Sequence, residues 1–148
     1  MTFQSAPITM WFDHRIVYRP SPIHGTGTFA IDDILTGQPL IWVAGGLVYT
    51  ADDFHSGKIV FDGTMYNEAP LSETLRIATP VAFHYYINHS CEPNIIDQSR
   101  HPTVTHYVAM RDIHAGEELT ADYYKLETLE VCYCNSERCR WKQRPLEV

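Results

Sequence analysis

The chain has 148 residues, 45% of them hydrophobic and 20% charged. That suits one domain of about 100–150 residues with its own core, and it excludes a disordered tail, a coiled coil or a collagen-like fibre. Eleven Lys and Arg against eighteen Asp and Glu leave a formal charge of −7, which argues against direct nucleic-acid binding and suits either plain solubility or a basic partner.

Residues 1–14 contain Phe3, Trp11 and Phe12 and read as an irregular N-terminal lead-in. No basic-then-apolar leader is visible there, and no apolar run reaches the ~20 residues of a membrane span. The expectation is a cytoplasmic protein, or a nuclear one in a eukaryote, with no membrane contact. Ile16–Arg19 alternates as a short strand, and the turn-rich Ser21–Gly27 separates it from a second strand, Thr28–Ile31. Leu40–Ala44 and Leu47–Thr50 are strand-like and hinge at Gly45-Gly46. Thr50 is a suitable N-cap for a brief helix over Ala51–Phe54. Asp62-Gly63 between Ile59–Phe61 and Thr64–Tyr66 predicts a hairpin, and Pro70–Arg76 predicts one helical turn. Ile95–Gln98 and Thr103–Met110 read as strands, and Leu119–Tyr124 as the last one. Many short strands, frequent turns and little helix define a mainly β domain with several small sheets.

Four cysteines are the sharpest compositional feature. Cys132, Cys134 and Cys139 lie within eight residues, and Cys91 stands roughly forty residues upstream. In a reducing compartment such a cluster points to metal rather than disulfides. Structural zinc takes four soft ligands in a tetrahedron. The fourth is Cys91 if the site is all-thiolate, or one of the eight histidines otherwise.

Two further stretches carry chemistry. Gly25 and Gly27 let the backbone approach a ligand closely or simply make a turn. Asn88-His89-Ser90-Cys91-Glu92-Pro93-Asn94 is a dense polar run directly after the apolar 81–87. Its Asn and His suit either a ligand or the backbone groups of a chain crossing.

Together these blocks resemble the SET-domain protein lysine methyltransferases. Residues 21–29 resemble the opening glycine motif as trithorax-type members carry it. Residues 88–94 match the most diagnostic motif without a change, residues 116–123 resemble the final strand, and the Cys-x-Cys-x4-Cys-Arg at 132–140 resembles the post-SET zinc segment. The resemblance implies a lead-in at 1–14, a SET domain over 15–124 with small twisted sheets around a pseudoknot, and a post-SET segment over 125–148. It implies S-adenosyl-L-methionine held by His24, Gly25, Thr26, Gly27, Asn88 and His89, with Trp141 (or Leu146) packed near the adenine. It implies one zinc on Cys91, Cys132, Cys134 and Cys139. Tyr123 matches the catalytic tyrosine, and the substrate is a lysine-containing protein or peptide, basic and histone-like. Oligomeric state is not implied.

Three positions depart from the family. Ala121 stands two residues before Tyr123, where Phe or Tyr is usual and helps set how many methyls are added. Val43 stands where a channel tyrosine is usual, and Tyr85-Tyr86-Ile87 replaces Arg-Phe-x before Asn88. The loss of aromatic wall at Val43 and Ala121 implies a wider lysine channel, or a non-catalytic module that binds only cofactor or a basic peptide. A purely structural zinc module is the third reading.

Overall fold

The computed structural model describes residues 6–59, 66–80, 86–101, 103–123 and 131–140. The strands are β1 (Ala6–Phe12), β2 (Ile16–Pro20), β3 (Thr26–Ala30), β4 (Pro39–Thr50), β5 (Tyr66–Pro70), β6 (Leu75–Pro80), β7 (Asn88–His89), β8 (Ile95–Asp97), β9 (Val104–Ala109) and β10 (Glu118–Ala121), with one short helix, α1 (Ala51–His55). Among the described residues they form two sheets, as the mainly β reading expects. One runs β5-β6-β4-β9-β8, with β1 also paired to β4, and the other runs β2-β3-β10-β7.

The N-terminal lead-in is a correction, because much of it is β1. Met10, Trp11 and Phe12 pair antiparallel with Val43, Trp42 and Ile41 of β4. Directly opposed residues share a sheet face. The register therefore puts Met10, Phe12, Ile41 and Val43 on the inner face, joined by Tyr107 opposite Ile41. Trp11, Trp42 and His106 stand on the outer face, with the Trp42 and His106 rings 4.9 Å apart, edge to face.

The expected hinge at Gly45-Gly46 is a continuous twelve-residue strand. It changes partners there: β1 and β9 flank its first half, and β6 pairs with Leu47–Thr50. Gly46 has φ 139°, and a Cβ on it would meet the Ala78 carbonyl at 2.7 Å, so only glycine lets β6 approach.

The helical turn expected at 70–76 is also corrected. Pro70 and Leu75 belong to the two arms of a β5–β6 hairpin, and residues 71–74 bend between them. Ser72 Oγ accepts the Leu75 amide at 3.1 Å and so closes the bend. Local helix preference loses because Leu75–Ala78 gains a full ladder with β4. The expected Asp62-Gly63 hairpin lies outside the described residues, as do Tyr85, Tyr124, Trp141 and Leu146. The brief helix forms as read, with Thr50 and Asp53 making a capping box.

The main core lies between the two sheets. Ile34, Leu40, Ile41, Ile87, Ile95, Ile113 and Leu119 are fully buried in it, and each side chain contributes about 1.5–3 kcal/mol of transfer free energy. Ile34 and Ile113 exchange both backbone hydrogen bonds, which pins the two long connectors to each other.

The last strand is placed by the 88–94 segment. β7 runs parallel to β10, pairing Asn88 with Thr120 and His89 with Ala121. The Asn94 side chain continues this like an extra length of backbone. Its Nδ2 donates to the Glu118 carbonyl at 2.8 Å, and its Oδ1 accepts the Thr120 amide at 2.9 Å. Asn94 is 2% exposed, so both contacts are sheltered from water. The two segments are thereby laced together, and residues 88–91 are brought beside Tyr123.

Candidate active site

The glycine loop is built on a carboxylate. Ser21 Oγ donates to Glu118, with both carboxylate oxygens at 2.8 Å, and accepts the Ile23 amide at 2.9 Å. The Ser21 amide donates to the Gly25 carbonyl at 2.8 Å and closes the loop. Asn88 Nδ2 donates to the His24 carbonyl at 3.0 Å and to Glu118 Oε1 at 2.7 Å. Both partners are pure acceptors, so this nitrogen assignment holds, and Oδ1 remains as the acceptor of the amide. Glu118 therefore joins the loop to the Asn-His segment. The local sequence offers no sign of that role, since Ser21 and Asn88 lie 97 and 30 residues away.

These elements enclose a cavity of about 650 Å³, within the roughly 300–1,000 Å³ range of small-molecule sites. Six of the expected site residues line it: His24, Gly25, Thr26, Asn88, His89 and Tyr123. Cys132 of the cysteine cluster also lines it. Gly27 lies one step behind, buried against Glu118. Val43 and Ala121 are 3% and 5% exposed and sit together in the main core, against which Tyr107 packs, rather than in the cavity wall.

Four more residues line it: Ile23 of the glycine motif, Tyr86 of the departure before Asn88, and Val131 and Tyr133, which carried no site expectation. Tyr86 is fixed by the Thr28 hydroxyl, which donates to its carbonyl at 3.1 Å, and by edge contact with the Tyr18 ring at 4.8 Å. Val131 and Tyr133 flank Cys132 and stay more than half exposed. An apolar residue on each side of a ligand cysteine is the signal that could have found them.

Tyr123 lies just past β10. Its hydroxyl donates to the Ile87 carbonyl. Its amide donates to His89 Nδ1 at 3.0 Å, and the two rings lie 5.4 Å apart. Burial pushes the His89 imidazole pKa down. Asp122 and the Ala121 carbonyl pull it back, and Arg140 adds to the lowering.

The four sulfurs of Cys91, Cys132, Cys134 and Cys139 lie within 4.8 Å of one another. A tetrahedral zinc with Zn–S bonds of about 2.3 Å places sulfurs about 3.8 Å apart, so a small adjustment closes the cluster on a metal. The all-thiolate alternative is the one the fold assembles. Burial and shared hydrogen bonds with Cys134 and Cys139 push the Cys132 thiol up to about 12. Burial also pushes Cys134 up, but the Cys91 and Ser136 amides and the neighbouring thiols outweigh it and bring it down to about 7. Crowded sulfurs of this kind ionise together only around a cation.

The architecture, the laced segments and the thiol cluster together define the SET-domain class, whose family pattern matches residues 25–124. The chain belongs to the SET-domain family. It is 31% identical over 151 residues to the histone-lysine N-methyltransferase trithorax of Drosophila virilis, covering 86% of this chain and 4% of that protein. It is 31% identical over 148 residues to human histone-lysine N-methyltransferase 2B, covering 84% of this chain and 5% of that protein. A third relative, histone-lysine N-methyltransferase set1 of Dictyostelium discoideum, is 31% identical over 152 residues, covering 93% and 10%. The chain thus spans 10% or less of the length of these relatives. Among the described residues no helix is long and apolar enough to cross a membrane.

Proposed function

We propose that this chain is an S-adenosyl-L-methionine-dependent protein lysine methyltransferase, with a SET domain over 15–124 and a zinc-bearing post-SET segment over 125–148. The observation that carries this is Tyr123 in the cavity wall beside the 24–26 loop and Asn88. Family membership and the names of the relatives support the same reading.

S-adenosylmethionine supplies a methyl group on a sulfonium when it is bound. The 24–26 loop carbonyls and Asn88 Oδ1 offer acceptors for its polar end, and Tyr86, Ile23, Val131 and Tyr133 offer aromatic and apolar wall for its base. These residues fit such a molecule. Gly27 works from behind, leaving room for the Glu118 carboxylate that shapes the loop. Trp141 remains a candidate for the adenine side.

A lysine amine has a pKa of about 10.4, so roughly one in a thousand is neutral near pH 7.4. A sheltered apolar wall disfavours the ammonium and so favours the nucleophile. Tyr123 offers its hydroxyl oxygen in the cavity wall and orients the amine toward the methyl. Its role is positional and electrostatic rather than that of a base. Val43 and Ala121 sit in the main core, against which Tyr107 packs, so the wider-channel reading gains no support from the lining of this cavity.

Zinc is the metal that four thiolates select, and its role is structural, because the protein supplies all four ligands. The substrate is a lysine-bearing protein, with a histone tail the first choice given the relatives' names and the charge of −7. Free thiols at all four cysteines suit a cytoplasmic or nuclear setting.

A second reading keeps the binding and drops the chemistry, because Val43 and Ala121 lack the usual aromatic groups. Calorimetry with S-adenosylhomocysteine, run beside a methyl-transfer assay, separates the two. Binding with transfer supports the enzyme, binding without transfer supports the module, and no binding defeats both.

A further inference from the structure

His89 lies in neither a purely structural nor a purely ligand-facing position. It is 6% exposed and touches two functional groups at once. Nδ1 accepts the Tyr123 amide at 3.0 Å, and Nε2 lies 3.3 Å from the Cys91 sulfur. A backbone amide can only donate, so a neutral ring bonded to it at Nδ1 carries its hydrogen on Nε2, and the acceptors beside the ring are the Cys91 sulfur and the Ala121 carbonyl. That hydrogen then points at the Cys91 sulfur, which is within reach of an N–H···S bond. The Asp122 carboxylate is 3.7 Å from Nδ1, too far to claim that nitrogen.

A parallel link runs beside it. The Arg140 amide donates to the Cys91 sulfur at 3.4 Å, and the Arg140 guanidinium holds the Asp122 carboxylate through both nitrogens, one at 3.0 Å. Asp122 immediately precedes Tyr123. The same sulfur is therefore tied to both sides of the Asp122–Tyr123 peptide.

We propose that His89 is a positioning residue that fixes Tyr123 relative to the Cys91 sulfur, acting as the Nε2–H tautomer with one nitrogen on each. The inference rests on the reading above, in which Tyr123 is catalytic and Cys91 binds a metal. Partners outside the ligand set commonly hold metal ligands in place, and losing one costs about 10–100-fold in metal affinity or activity. Here the partner also reaches the reacting tyrosine. The metal centre thus becomes the anchor of the active site and not only of the C-terminal segment.

Two substitutions separate the two ends. In His89→Asn the side-chain amide overlays Nδ1 and keeps the Tyr123 contact, but it does not reach Cys91. In His89→Gln the terminal nitrogen overlays Nε2 and keeps the Cys91 contact, but Nδ1 is gone. With cobalt in place of zinc, the expected result is a thiolate-to-cobalt charge-transfer band moved to lower energy in His89→Asn and unmoved in His89→Gln. Both variants should lower methyl transfer about tenfold or more at saturating cofactor. An unmoved band in His89→Asn, or an unchanged rate in His89→Gln, overturns the proposal.

Nitrogen NMR on ring-labelled, zinc-loaded wild-type protein needs no variant. It should show a protonated Nε2 and a bare, hydrogen-bonded Nδ1, and a protonated Nδ1 on the neutral ring overturns the proposal. This measurement does not read methyl transfer. A failed tautomer and a failed enzymatic function are therefore distinct results.

Discussion

The carboxylate of Glu118 fills the space in which a side chain at position 27 would begin. A Cβ built on Gly27 would lie 2.7 Å from Glu118 Cδ and closer still to Oε1. Gly27 has an ordinary strand backbone, so its requirement is steric rather than torsional. The carboxylate is there because it holds Ser21 on one side and Asn88 on the other. The glycine motif and the acidic pair of the last strand are two halves of one arrangement.

Gly27→Ala should therefore cost about 1–3 kcal/mol, the usual range for overpacking a filled site, and should weaken S-adenosylhomocysteine binding with it. In a Glu118→Ala background the further cost of Gly27→Ala should largely disappear. Urea unfolding of the four proteins in a double-mutant cycle measures this coupling. Additive costs would mean that the two residues do not compete for space.

Metal removal should reach the cavity as well as the tail, because Cys132 belongs to both. Elemental analysis should find about one zinc per chain, since one tetrahedral site uses all four cysteines. Cys91→Ser should weaken metal binding by at least the ~10–100-fold that loss of an outer partner causes. Chelation should lower both the melting temperature and cofactor affinity. Two zincs, or a disulfide among these cysteines, would contradict the arrangement.

Acid should loosen the joint between β1 and β2. Asp13 accepts from the Arg15 side chain at 2.8 and 2.9 Å and from the Arg15 amide at 2.9 Å. The Arg15 guanidinium holds the carboxyl below its ordinary range against the opposing effect of burial. A lowered folded pKa favours the folded state above the unfolded value of about 3.9, and that contribution is lost as pH falls through the folded value. Stability of the wild type should thus drop more steeply below about pH 4 than that of Asp13→Asn. Urea midpoints at a series of pH values check the difference in slope.

Much of the site was legible because its chemistry is written in contiguous runs. Three clustered cysteines and one distant one required either Cys91 or a histidine to complete a tetrahedron, and the fold brings Cys91. The 88–94 run declared itself by polarity after an apolar stretch. What stayed hidden depends on partners far away in sequence. Pro70–Arg76 looks like a helical turn until β4 is beside Leu75 and Arg76, and β1 looks irregular until Trp11 meets Trp42. Tyr133 is one of nine tyrosines, and only the folded chain singles it out. Glu118 carried no site expectation because its partners lie 97 and 30 residues away.

The central claim is methyl transfer to lysine at Tyr123. Incubation with S-adenosylmethionine and core histones, followed by peptide mass spectrometry, tests it most directly. The account predicts methyl groups on lysine side chains, formed about 10²-fold more slowly by Tyr123→Phe, with cofactor binding retained. Methylation unchanged by Tyr123→Phe, methyl groups on a residue other than lysine, or cofactor binding with no transfer to histones or to cell-lysate proteins would contradict it.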